Sequence, residues 1–93
     1  MSLEINVELT IINKLGLHAR AAAKLASTAG KYGCKIKTGP KPDKLVDAKS
    51  VMSLMLLAAS QGTVLHFHFE GRDAERACRD IEQLLANRFD EEQ

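Results

Sequence analysis

Neither sign of charge dominates this sequence: thirteen Lys and Arg stand against twelve Asp and Glu, a formal net charge of +1. A nucleic-acid ligand or an anionic membrane, which a strongly basic chain would announce, is therefore not expected. Long apolar runs are missing as well. The longest mainly apolar stretch, residues 51–59, is far too short to cross a bilayer. No apolar segment follows a basic start at the N-terminus, so no secretory signal is read there and a cytoplasmic chain is expected. Cysteine is scarce. Cys34 and Cys78 fit no zinc-ligand spacing and form no Cys-x-x-Cys pair, which leaves two reduced thiols, buried as small hydrophobes. Repeats and low-complexity segments are absent too, and 93 residues suit one small domain spanning 1–93.

What is present is periodic. Residues 3–12 alternate, with Leu3, Ile5, Val7, Leu9 and Ile11 on one face and Glu4, Asn6, Glu8 and Thr10 on the other, the pattern of a half-buried strand. Residues 13–16 turn out of it. Residues 19–29 are rich in Ala, the best helix former, with Ala22, Leu25, Ala26 and Ala29 on one face and Gly30 placed to stop the helix. Residues 34–38 read as a short strand, 39–43 as a loop because Gly39, Pro40 and Pro42 oppose regular pairing, and 44–47 as a brief third strand. A short helix over 50–58 follows. Residues 63–70 alternate again, with Leu65, Phe67 and Phe69 inward and Val64, His66 and His68 outward. A last helix starts near Asp73, its stripe formed by Ala74, Ala77, Cys78, Ile81, Leu84 and Leu85. The acidic tail, residues 90–93, is expected to fray. The order β-α-β-β-α-β-α, with sheet apolar positions on one face, predicts a two-layer α+β sandwich.

Chemistry concentrates where the first strand gives way to the first helix. There Gly16-Leu17-His18-Ala19-Arg20 places a histidine and an arginine two residues apart. Amide groups at a helix start are unpaired and carry partial positive charge, which suits an anion. Histidine offers a nucleophilic ring nitrogen, and arginine a fork of donors for phosphate. Both the helix start and Arg20 disfavour a second positive charge on the ring, so a neutral, reactive imidazole is expected. From residue types alone, such a pair is more often a surface cap and a solvated charge. Ser50 precedes the second helix and suits an N-cap. Val51-Met52-Ser53-Leu54-Met55-Leu56-Leu57 is apolar nearly all round; Leu54 and Leu57 are assigned to the core, and Val51, Met52 and Met55 to an exposed docking patch. His66 and His68 share a strand face but lack a third ligand at suitable spacing, so no metal site and no cofactor are expected.

Asn13-Lys14-Leu15-Gly16-Leu17-His18-Ala19-Arg20, then Ala48-Lys49-Ser50 before an apolar run, then Gln61-Gly62-Thr63 and Glu70-Gly71, together resemble the HPr/NPr family, histidine-containing phosphocarriers of the bacterial phosphotransferase system. The resemblance runs from about residue 4 to about residue 85. It implies an open-faced sandwich, a four-stranded antiparallel sheet with three helices on one side. It implies a monomeric relay rather than a true enzyme. His18 would take a phosphoryl group on Nδ1 (a pros-phosphohistidine) from Enzyme I and pass it to a IIA domain, with Arg20 assisting. The final acceptor, and the choice between sugar uptake and a nitrogen-related branch, are left open. By the same resemblance Ser50 is the residue that an HPr kinase/phosphorylase modifies in some lineages. The second helix and the His-bearing helix would form the partner surface. One departure stands out: Ala21 occupies a position where most relatives carry proline, which loosens the unfolded chain, at roughly 0.4–1 kcal/mol, but removes no reactive atom. Two rivals remain at this point. One is a regulatory binding module of the same fold, controlled through Ser50. The other is a small α+β interaction domain without phosphoryl chemistry.

Overall fold

A computed structural model of the chain describes residues 3–93. The elements follow the expected order: β1 (Leu3–Thr10), α1 (Ala19–Gly30), β2 (Lys35–Lys41), β3 (Lys44–Asp47), α2 (Val51–Leu56), β4 (Val64–Gly71) and α3 (Ala74–Ala86), with a 3₁₀ turn over Arg88–Asp90. The sheet has four strands in the order β1-β4-β2-β3, and every neighbouring pair is antiparallel. Central β4 carries the alternation that builds the core: Leu65, Phe67 and Phe69 are buried. Across β1 they face Leu9, Val7 and Ile5, and Phe67 and Phe69 face Thr38 and Ile36 across β2. The Phe67 and Phe69 rings stack with centroids 6.1 Å apart. Such same-face neighbours are the unit of sheet stabilisation.

The helices cover this apolar face. α1 brings Ala21, Ala22, Leu25, Ala26 and Ala29 inward, and α3 brings Ala74, Ala77, Cys78, Ile81 and Leu85. Small side chains let α1 lie close to its neighbours, so a core is filled with little side-chain entropy lost. The opposite face keeps Glu4, Asn6, Glu8, His66 and His68 on β1 and β4. Leu3, at the open end of edge strand β1, is exposed, whereas the stripe assigned it inward.

Two segments depart from the expectations. β2 continues through Gly39 and Pro40 to Lys41, where a loop is expected. Its register with β3 shifts between Thr38 and Lys41, and pairing with β4 ends at Gly39. Pro40 thus sits at a bulge, one of the few places a strand tolerates a residue without an N–H. Gly39 is required there, because a Cβ would lie 1.8 Å from the Lys44 carbonyl oxygen. The second departure is the tail. Rather than fraying, it turns back through left-handed Arg88, Phe89 and Asp90 and buries the Phe89 ring completely.

Candidate functional site

The loop from β1 to α1 is built to hold one side chain at the helix start. Gly16 turns the chain at φ +70°, and a Cβ there would meet the Ala59 carbonyl oxygen at 2.6 Å, so the α2–β4 connection can pass directly beneath. That carbonyl accepts from the Leu17 amide at 2.8 Å, and Leu17 is buried. With its neighbour pinned, His18 becomes the N-cap residue of α1. Its backbone is extended, its carbonyl accepts from the Ala22 amide at 2.8 Å, and its ring makes no capping hydrogen bond. The first turn of α1 also lacks an acidic residue. Among the described residues, the first-turn amides of α1 therefore have no capping side chain and no acidic residue of their own turn.

The imidazole is half-covered, its side chain 28 % exposed, and the group that covers it comes from the tail. His18 Nε2 lies 2.5 Å from Oε2 of Glu91, whose side chain is 12 % exposed. The other carboxylate oxygen accepts from Asn13 Nδ2 at 3.0 Å. Asn13 is fully buried, and its amide also donates to the Gly16 carbonyl at 2.8 Å. Burial alone would push the Glu91 carboxyl up, but the hydrogen bonds from Asn13 and His18 and the positive charge of nearby Arg20 outweigh it and hold the group below its ordinary value. Lys24 fastens the same segment, donating to the Phe89 carbonyl at 2.9 Å and lying 3.7 Å from the Asp90 carboxylate. The Lys14 amide donates to the Gln93 carbonyl at 2.9 Å.

Arg20 is exposed, and its guanidinium makes no hydrogen bond or ion pair among the described residues. With Lys14, Lys24, Asp90 and Glu91 it lines an open pocket of about 350 Å³. Ser50 is the N-cap of α2, its hydroxyl accepting from the Ser53 amide at 3.2 Å. Val51, Met52 and Met55 are exposed, Leu54 is buried and Leu57 is partly buried, as the sequence indicates. The exposed patch also includes Leu56, and Leu15 and Ile12 beside the His18 loop are exposed as well. On the far face, His66 pairs with Asn6 and His68 with Glu4, and the fold brings Glu4 and Glu70 to His68 although spacing along the chain hides them. Both cysteines are free, and burial pushes each thiol up to about 11.

Sequence reasoning missed Asn13 and Glu91 as contributors to this site. One signal was available for the tail. Phe89 continues the i, i+4 steps of Ile81 and Leu85, an apolar side chain in an otherwise charged segment.

The model of the family described as "PTS HPr component phosphorylation site" matches residues 5–87. The chain belongs to the HPr family of phosphocarriers. It is 53% identical over 85 residues to the phosphocarrier protein HPr of Pseudomonas aeruginosa, covering 91% of this chain and 94% of that one. It is 40% identical over 84 residues to the phosphocarrier protein NPr of Shewanella violacea, covering 90% of this chain and 91% of that one. Among solved structures it resembles an HPr from Thermoanaerobacter tengcongensis with a TM-score of 0.88 and 42% identity, over 96% of this chain and 99% of the other. The HPr family match contains His18, Arg20 and Ser50 but stops short of Glu91.

Proposed function

We propose that this HPr-family chain accepts a phosphoryl group on His18 from phosphorylated Enzyme I and passes it to a IIA domain. The observation that carries the reading is the uncapped start of α1. His18 sits at its N-cap, no side chain among the described residues satisfies the first-turn amides, and no acidic residue occupies the first turn. Phosphoryl transfer asks a protein mainly for positioning and charge stabilisation. The helix start supplies both, worth about 0.3–1 kcal/mol at an exposed site, a modest hold that suits a group destined to leave again. Arg20, with no partner among the described residues, is free to swing its fork onto the arriving phosphate. The patch of Val51, Met52 and Met55 adjoins through the α1–α2 packing and offers a surface for both partners. Ser50, at the head of that patch, would be the point at which a kinase changes its charge.

The test is incubation with phosphoenolpyruvate and Enzyme I. One acid-labile, base-stable phosphoryl group should appear on the chain, and His18→Ala should take up none. Equal uptake by His18→Ala would end this reading.

A further inference from the structure

We propose that Glu91 is a positioning residue for phosphoryl transfer at His18: its carboxylate holds the ring proton on Nε2 and so presents Nδ1 as the nucleophile. The proposal rests on the reading of His18 as acceptor, and it concerns a residue outside the segment that the family match covers, residues 5–87. An ionised carboxylate only accepts hydrogen bonds, and a neutral imidazole carries one N–H and one lone pair. With Glu91 Oε2 2.5 Å from Nε2, the N–H belongs on Nε2 and the lone pair on Nδ1.

The carboxylate is fixed from several directions. Phe89, two residues before it, is buried. Lys24 holds the Phe89 carbonyl, and the Lys14 amide holds the Gln93 carbonyl. Asn13 closes the arrangement. Its amide nitrogen faces two acceptors, the Gly16 carbonyl and Glu91 Oε1, so its orientation is forced. The Asn13–Glu91–His18 series thus has the logic of a carboxylate that sets the tautomer of a catalytic histidine. Glu91 does this from the Nε2 side and leaves the first-turn amides of α1 uncapped, so it does not occupy the place of a phosphate drawn to the helix start.

The chemistry balances without further reactants. The Nδ1 lone pair forms the new N–P bond while the bond from phosphorus to the donor breaks and its electron pair leaves with the donor. The proton stays on Nε2, and the ring becomes cationic beside a carboxylate already in hydrogen-bond contact. Onward transfer reverses these steps and restores the neutral ring.

Nitrogen-15 NMR of the His18 ring and the rate of phosphorylation by Enzyme I, measured on the wild type, Glu91→Ala and Glu91→Gln, test the proposal. The wild type should show the Nε2–H tautomer. Glu91→Ala should show a mixture and react about ten- to a hundredfold more slowly, the loss expected for one charge-assisted hydrogen bond. Glu91→Gln keeps the size but offers one acceptor where Asn13 and His18 present two donors, so it should also lose the tautomer bias while staying folded. The loss should fall on kcat rather than on KM for Enzyme I. An unchanged tautomer in both variants, or an altered tautomer with an unchanged rate, overturns the proposal. If the wild type accepts no phosphate at all, the reading of His18 as acceptor fails, while the tautomer measurement still reports on the Glu91 contact by itself.

Discussion

Replacing Phe89 with alanine is the sharpest probe of the tail. The ring is fully buried. Emptying a buried phenylalanine site costs about 3–5 kcal/mol when the surroundings cannot relax. Here they can. Arg88, Phe89 and Asp90 all hold positive φ, at 56°, 53° and 64°. A left-handed backbone costs an L-residue roughly 1–2 kcal/mol, and a tail that lets go recovers part of that. The net loss should therefore be about 1–3 kcal/mol, less than the full cavity penalty. A chain of this size loses about 4–8 °C in Tm per kcal/mol, so a fall of roughly 5–20 °C is expected. Thermal unfolding followed by circular dichroism measures it. A frayed tail would leave stability within about 0.5 kcal/mol, as substitutions at unconstrained surface sites do. A shift that small would refute the docked tail and, with it, the Glu91 contact. Arg88→Gly supplies the converse check, since glycine takes φ +56° without steric cost and should raise stability by about 0.5–1 kcal/mol.

Other outcomes are open to measurement. The Glu91 carboxyl is held below its ordinary value of 4.5, so its contribution to stability is present above that value and lost as pH falls through the lowered folded value. The Tm difference between the wild type and Glu91→Gln should therefore be constant near neutrality and vanish in strong acid; a difference that grows on acidification would contradict the hydrogen-bonded carboxylate. Met52, 70 % exposed, should tolerate Asp within about 0.5 kcal/mol while binding to Enzyme I weakens in calorimetry; an unfolded variant would put Met52 in the core. Ser50→Asp keeps a good N-cap, so its Tm should hold or rise slightly while phosphorylation of His18 slows; an unchanged rate would remove Ser50 from the docking surface.

Elements governed by local pattern were legible in the sequence. The alternation of β4 and the helical stripe of α3 each bury the side chains that the period assigns. So was the placement of His18, because a strand, a glycine turn and an alanine-rich helix leave little freedom at their junction. The extension of β2 was hidden, since Gly39 and Pro40 read as loop residues until a bulge and the close approach of Lys44 give them a place in a strand. The partners of His18 were hidden for a different reason. Asn13 looks like an ordinary turn residue, and only the return of Glu91 from the other end of the chain gives its amide something to hold. Contacts between residues so distant in sequence carry no periodic signature, and a charged tail carries almost none of its own.

The strand order also bears on how the chain is made. β1 is made well before β4, yet among the described residues β4 is the strand it pairs with. At roughly 5–20 residues per second, several seconds pass on the ribosome before that neighbour exists. During that interval β1 has no strand to pair with, although β2 and β3 already have each other. A nascent chain stopped ahead of residue 64 would leave Ile5, Val7 and Leu9 without their cross-strand partners, a ready target for a chaperone. The sheet is complete only once β4 is available to join β1 to β2.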